Sequence, residues 1–351
     1  MVFDEFITTT TQDKILPKVM DSVLAGNVIT LRLMTNSKKW MGETLKVPVK
    51  VSSSSTGGSY DGYDTFTTTR ANTRINMSFN PKAYYQTVTL SNMEKAVNTG
   101  EEAVIDLLTV EMESAQQDMI DGIGDLMYGD GTGNGNKDFT GLVAAVDDGT
   151  NVATYGGQSR TTYTTLQGNY TATVGNLTLS GMATMYDSCT VGTDVPSLIV
   201  TTETVWTYYE SLLTPTMSAN YNMQSLPMVT STGINPASQG FAGGSGFVAL
   251  MFRGTPVVKD EKCTAGYMYF LNEKYLDFHA LGHPENIAIK PMSNTIDGVY
   301  SQAGSNIPVF YWSGWLKPTN QDARTGHFTV YGDLINKNPN RSGVLRGITG
   351  V

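Results

Sequence analysis

Charge is what this sequence has least of. Only 16% of its 351 residues are Asp, Glu, Lys or Arg, against roughly 25% in an average soluble protein. A chain so poor in charge and rich in Thr, Ser, Asn and Gly fits a surface hidden in subunit contacts, and equally a secreted β-rich protein. The hydrophobic share of 40% excludes wholesale disorder. The formal charge of −9 argues against gripping nucleic acid by phosphate neutralisation. No stretch approaches the ~18 consecutive apolar residues that a membrane span requires. The N-terminal MVFDEFITTTTQDK carries acids and no apolar core, unlike an export signal. Cysteine is nearly absent too: Cys189 and Cys263 stand far apart, match no metal-ligand spacing and read as free, buried thiols. Of three histidines, His279 and His283 are four apart but lack an accompanying carboxylate motif, so with His327 they read as structural. The expectation is a soluble, cytoplasmic protein.

The charge that is present is unevenly placed. Residues 1–90 hold 10 Lys/Arg against 7 Asp/Glu, and the remainder 13 against 25. A basic front and an acidic body attract each other, within one chain or between copies. Residues 12–24 read as a short helix with Ile15, Val19, Val23 and Leu24 on one face. Two alternating segments follow, Leu45, Val47, Val49, Val51 outward and Ile75, Met77, Phe79, then Tyr85, Val88, Leu90 returning, around a Ser/Gly/Thr-rich middle. This is a long two-stranded ribbon. An isolated ribbon is marginal in water, so it should lie on another surface, and its basic bias suggests an acidic one.

The spacing next predicts a helix over 101–128, with Thr99 as N-cap and Glu101 and Glu102 in the first turn. Val104, Leu108, Met112, Ala115, Met119, Ile123 and Leu126 form its apolar face. Glu111, Asp118 and Asp125 recur every seven residues beside it, with Asp121 adjacent. No Lys or Arg lies between Lys95 and Lys137, so this stripe has no partner on its own helix. It is either a solvated face or a rail for a basic segment. Further on, NLTLSGMATMYDSC reads as a helix, and VPSLIVTTETVWTYYESLL as strand then helix with Thr201 or Thr202 as cap. GFVALMFRGTPVVKD and AGYMYFLNEKYLDFHAL read as strands around tight turns, and NIAIKPMS and NIPVFYWSGWLKP as long strands before ARTGHFTVYGDL. The pattern is α+β without a βα repeat.

The stretch YGDGTGNGNKDFTGL, residues 128–142, invites three readings. A Walker phosphate loop needs Gly-Lys-Ser/Thr, but Lys137 follows Asn136 and precedes Asp138. A dinucleotide fingerprint needs a third glycine in register and a helix after the loop, and neither is present. A calcium loop would use Asp130, Thr132, Asn134, Gly135 and Asp138, yet the twelfth position, where a bidentate Glu belongs, is Gly141. Glycines past a helix C-terminus need no ligand at all. Asp147 and Asp148 suit a turn, no Gly-x-Ser-x-Gly elbow exists, and neither cysteine has a histidine near it in sequence. No catalytic, cofactor-binding or metal-ligating residue is nominated, and an enzyme is not expected.

In order along the chain, YDGYDTFTTT, the span YYQTVTLSNMEKAVNTGEEAVIDLLTVEMESAQQDMIDGIGDLMYGDGTGNGNKDFTGL, YGGQSRTTYTTL, DVPSLIVTTETVWTYYESL, GFVALMFRGTPVVKDEKCTAGYMYFLN and YWSGWLKPTNQDARTGHFTVYG resemble the major capsid proteins of tailed bacteriophages, which have the Hong Kong 97 capsid fold. The resemblance implies an N-terminal arm (1–40), an E-loop β-ribbon (41–90), a peripheral domain (91–165) on a spine helix 101–128, an axial domain (166–282), and return strands of the peripheral domain with a C-terminal tail (283–351). It also implies a late structural protein of the virion, assembled in the host cytoplasm as hexamers and pentamers into an icosahedral shell around double-stranded DNA. Its partners would be further copies of itself, a scaffolding protein, a portal and a decoration protein. Some relatives crosslink an E-loop lysine to a neighbour's Asn, but Lys46 and Lys50 lie away from the ribbon's tip. Lys46, Lys50, Tyr60, Asp61, Tyr63, Arg70 and Arg74 on the ribbon, and Glu111, Asp118, Asp121 and Asp125 on the helix, are the subunit-interface candidates. A nanocompartment shell of the encapsulin type, enclosing enzyme cargo, is the alternative within the same fold. A secreted adhesin is the alternative outside it.

Overall fold

The structure, a computed structural model, describes residues 27–40, 42–53, 57–66, 72–97, 107–213, 229–230, 233–234, 250–281 and 310–351. The helix expected over 12–24, the strand NIAIKPMS, Arg70, His283 and the start of the long helix, with Thr99, Glu101, Glu102 and Val104, lie outside these residues.

Two sheets organise the chain. The first is built on a central strand, Ala323–Asn336, whose 14 residues span roughly 46 Å. Lys82–Ser91 pairs antiparallel with its N-terminal part, and Leu276–Ala280 with its C-terminal end. Phe310–Trp312 also pairs with it, and Lys38–Lys39 adds in parallel at the edge of Leu276–Ala280. The long helix, Leu107–Met127, packs across this sheet. Its apolar periodicity is the cause: Met112, Ala115, Met119 and Ile123 are buried as the spacing requires, and Ile120 and Met127 widen the stripe. Leu126 is only partly buried.

The second sheet runs Leu250–Phe252, Thr255–Lys259, Leu198–Thr201, Met268–Leu271, Gly343–Leu345, Asn169–Thr171. Helices Leu179–Cys189 and Glu203–Leu213 pack with it around a core including Met182, Val205, Tyr209, Phe252 and Phe270. Both helices begin where hydroxyls cap them. Thr178 Oγ1 accepts from Gly181 N at 3.0 Å, and Thr202 Oγ1, not Thr201, accepts from Val205 N at 3.4 Å. Arg253 and Gly254, with φ of 49° and 83°, close a two-residue hairpin, the tight turn expected within GFVALMFRGTPVVKD.

The segment AGYMYFLNEKYLDFHAL folds differently from a local hairpin. Tyr275 N donates to Asn272 O at 3.1 Å, so the turn forms. The strands on either side then part, Met268–Leu271 into the second sheet and Leu276–Ala280 into the first. The chain crosses back after Asn336, and Gly343–Leu345 rejoins the second sheet. Similarly, Lys82–Ser91 does not continue the ribbon's return but joins the central strand. Of NIPVFYWSGWLKP, the described strand is only Phe310–Trp312.

A buried charge pair knots residues 144–166. Asp147 accepts from the amides of Gly149, Asn151 and Val152, each at 2.9 Å, and from Asn151 Nδ2 at 2.6 Å. Burial opposes its charge, but these donors hold its carboxyl below the usual range. Arg160, fully buried 3.7 Å away, donates to the carbonyls of Ala144, Val152 and Leu166 and lies over the Tyr155 ring at 4.8 Å.

Candidate functional site

The ribbon pairs Leu45–Lys50 with Arg74–Phe79 in antiparallel register, Lys46 opposite Ser78 and Lys50 opposite Arg74. Strand alternation sorts the residues by face. Leu45, Val47, Val49 and Ile75 are partly buried against the main core, and Met77 and Phe79 are buried within it. The hairpin Thr154–Ser159 supports this face: Ser78 N donates to Gly156 O at 2.9 Å, and Phe79 meets Tyr155 edge-on at 5.2 Å. The surface under the strands is therefore apolar and belongs to the same chain, a correction to the acidic support expected for the ribbon as a whole. Lys46, Lys50 and Arg74 point the other way and are exposed.

Beyond the strands, Asp61–Asp64 forms a turn in which Asp64 N donates to Asp61 O and Asp61 N to Asp64 Oδ2, both at 2.9 Å. Tyr60 and Phe66 pack edge-on at 4.9 Å yet remain 66% and 65% exposed, and Tyr63 is fully exposed. The ribbon thus carries a basic outer face and an aromatic tip. The candidates Lys46, Lys50, Arg74, Tyr60, Asp61 and Tyr63 share this one projecting element.

The acidic stripe divides in two. Lys262 Nζ donates to Asp121 at 2.7 Å and stands 3.3 Å from Asp125, so these two have a cation from their own chain. Burial works against the Lys262 ammonium, but the two carboxylates outweigh it and raise its pKa. Glu111 and Asp118 have no such neighbour among the described ion pairs. Burial raises the Glu111 pKa, with the like charges of Glu94 and Asp118 adding to it. Tyr84 reports the same field: burial first, then Asp125, Asp118, Asp121 and Asp138 push its hydroxyl up. Sequence reasoning missed Lys262 and Glu94, and no local pattern marks either.

The glycine stretch is held by a side chain the sequence did not nominate. Lys82 Nζ donates to Gly131 O and Thr140 Oγ1, each at 3.3 Å, and to Asp138 O. Asp130 instead closes its own turn, accepting from Thr132 N and Oγ1 at 2.9 and 2.8 Å. The carbonyls of Gly131 and Asp138 in this loop thus face an ammonium. Gly131, Asn134, Gly135 and Asn136 have positive φ, as expected past a helix end. His279 is buried in strand Leu276–Ala280, and burial lowers its pKa to about 4. His327 lies on the central strand near Thr87 Oγ1 at 3.4 Å. Cys189 and Cys263 are buried free thiols. Among the described residues no helix is long and apolar enough to cross a membrane.

No family model matches the chain, and no curated protein sequence matches it. Solved structures do. The cyanophage A-1(L) capsid asymmetric unit superposes with a TM-score of 0.67 at 17% identity, over 96% of this chain and 97% of that one. The holo-SrpI encapsulin complex from Synechococcus elongatus PCC 7942 gives 0.57 at 10% identity, over 99% and 96%. The capsid of a native GTA particle gives 0.57 at 9%, over 96% and 94%. At such identities the likeness is one of fold. The chain has the Hong Kong 97 capsid fold, an α+β architecture, as its sequence led us to expect.

Proposed function

We propose that this chain is the major shell subunit of a tailed-phage capsid, with no catalytic role. Copies would assemble as hexamers and pentamers into an icosahedral shell around packaged double-stranded DNA, in the virion after assembly in the host cytoplasm. A scaffolding protein, a portal and a decoration protein complete the proposed partners. Residues 1–40 would be the arm and 41–90 the E-loop. The peripheral domain would be the first sheet with the long helix, and the axial domain the second sheet. On this reading the axial boundary would fall at about 272–275 rather than 282, and 343–345 would be axial, a proposal supported by the pairing of Met268–Leu271 with Gly343–Leu345.

One observation carries the reading. Among the described residues, the ribbon's apolar face is already used by its own chain, while its basic face and aromatic tip are not, and Glu111 and Asp118 on the long helix have no partner cation. The two surfaces are complementary in charge and belong to different parts of the molecule, as a contact between copies requires. An encapsulin-like shell is the second reading, supported by the likeness to SrpI.

The test is charge reversal. Glu111→Lys with Asp118→Lys should leave a folded subunit that forms no closed shells in negative-stain electron microscopy. Adding Lys46→Glu and Lys50→Glu to the same chain should restore shells. Asp125 is unsuitable for this purpose, because reversing it would also break its bridge to Lys262. Normal shells from the acid-reversed subunit would refute the proposed contact. The absorbance ratio of purified shells then separates DNA from enzyme cargo.

A further inference from the structure

Among the described residues the sheet edges are short or blocked, with one exception. The ribbon strand Leu45–Lys50 lies at an edge, but Pro48 has no N–H to offer there and Lys46 and Lys50 flank it. Its partner Arg74–Phe79 is covered by the hairpin at Gly156 and Gln158. The edge strands Leu250–Phe252, Asn169–Thr171 and Phe310–Trp312 have 3 residues each, and Lys38–Lys39 has 2. Lys82–Ser91 differs. It is 10 residues long and pairs in unbroken register with the central strand alone, and after Lys82 it holds neither Pro nor charge.

The direction of its free groups follows from the far side of the sheet. Thr325 and His327 of the central strand turn their N–H groups away, to Leu316 O and Ser313 Oγ. Thr89 and Thr87, opposite them, therefore point their own N–H and C=O groups outward, and by alternation so do Ala83 and Tyr85. These residues are exposed, Tyr85 at 68%, and their outward amides have no partner among the described residues. Acids line the same edge. Glu94 accepts from Ser91 N at 3.0 Å and closes the end of the strand. The charges of Glu94 and Asp118 reach Glu111, and that of Asp118 reaches Tyr84, whose hydroxyl packs on the long helix at Gly122. We propose that Lys82–Ser91 is a strand-addition site whose partner is an extended segment of another polypeptide with Lys or Arg at alternate positions. The outward backbone of Ala83, Tyr85, Thr87 and Thr89 supplies the pairing, and Glu94, Glu111 and Asp118 select a basic strand. Left uncovered, such an edge pairs indiscriminately. The ribbon of a second copy fits poorly, because Pro48 and the hairpin block both of its edges. The site rests on the backbone of one chain and does not depend on the capsid reading.

Hydrogen–deuterium exchange on dispersed full-length subunits tests it with a synthetic peptide, Thr-Lys-Val-Lys-Val-Lys-Val-Thr, blocked at both ends. At about 1 mM this peptide should slow exchange across residues 82–91 by about fivefold. With Glu for Lys, or with Pro for Val, which removes the N–H groups facing the edge when the lysines face the acids, the slowing should fall below about twofold. Thr87→Pro deletes an outward N–H and leaves the ladder to the central strand intact, so it should have the same effect. Glu111→Gln with Asp118→Asn, which leaves the backbone untouched, should do so too. No slowing by the lysine peptide overturns the proposal without any variant. Equal slowing by the glutamate peptide overturns the basic partner, and equal slowing by the proline peptide overturns strand addition. Slowing that grows with subunit concentration in the absence of peptide makes the occupant a second copy and overturns the stated partner.

Discussion

Gly135 lies midway along the loop that Gly141 ends, and the two should fail, when replaced by alanine, for different reasons. Gly141 has φ −95° and ψ −172°, a conformation any residue adopts. A methyl group there, however, would sit 2.6 Å from Gly129 N and from Leu126 O, and closer still to Gly129 O. Favourable carbon contacts begin near 3.5 Å, so backbone must move by about an ångström. It is poorly free to do so: Gly129 N donates to Leu126 O at 3.1 Å and Ala145 N to Gly141 O at 2.9 Å. Overpacking costs about 1–3 kcal/mol and sometimes more, and three backbone obstructions put Gly141→Ala at about 3 kcal/mol. Gly135, at φ +69°, has nothing within 4 Å of its added methyl, so only the left-handed backbone resists, at about 1 kcal/mol. Urea unfolding of the dispersed subunit, with unchanged m, reads both as shifts in midpoint. Gly57→Ala, on an open exposed site, is the control and should not move. A Gly141→Ala midpoint within error of wild type, or a larger loss at Gly135, would refute the close-approach argument.

Burial raises Cys189 to about 12 and Cys263 well above its usual value. Neither thiol should react with a disulfide reagent at pH 8 in the native subunit, and two should react in denaturant. Arg160→Ala leaves the carbonyls of Ala144, Val152 and Leu166 without their donor and Asp147 with only the Arg346 guanidinium, 4.0 Å away, and should destabilise by about 3 kcal/mol, measured by urea unfolding. Lys262→Met should cost only about 1 kcal/mol, because Asp125 is largely exposed, and should speed amide exchange at residues 119–127 without unfolding the second sheet. His279, lowered to about 4, contributes stability present above its unfolded value of 6.5 and lost as pH falls toward 4. Asp333, raised to about 6, contributes stability present below 3.8 and lost as pH rises through 6. The two slopes oppose between those limits, so Asp333→Asn should show a steeper acid loss than wild type in urea titrations at pH 6.5 and 4.5.

What the sequence made legible was local. The hydroxyl before Glu203–Leu213, the tight turn inside GFVALMFRGTPVVKD and the alternation of Leu45, Val47 and Val49 each depend on neighbours within a few residues, so pattern alone found them. The fold was legible through the order of many loose resemblances. Which sheet a strand joins was not, because Leu276–Ala280 looks the same whether it folds back on Met268–Leu271 or crosses to the central strand. The charge partners were hidden for the same reason. Lys262 and Asp121 are 141 residues apart, and Lys82 meets a loop 49 to 58 residues on. The acidic stripe could be seen as unpaired on its own helix, but only the packing of a distant turn reveals that half of it is neutralised.

That division bears on how strong a contact between copies should be. Were Glu111, Asp118, Asp121 and Asp125 all free, a basic ribbon would face four carboxylates. With Lys262 taking two of them, the remaining attraction is between a few exposed charges, which in salt is worth about 0–1 kcal/mol per pair. In the proposed contact the aromatic tip would supply the rest: fully burying a large apolar side chain is worth about 1.5–3 kcal/mol, and Tyr60, Tyr63 and Phe66 are the exposed candidates. If the proposed shell forms, such a contact would be weak singly and strong when a closed shell repeats it. Weakness would then have a use in assembly, since a misplaced subunit held by one ribbon could leave before its neighbours fix it. A ribbon whose apolar face is satisfied at home, and whose outward face offers modest charge and three rings, suits reversible growth better than a tightly binding strand would.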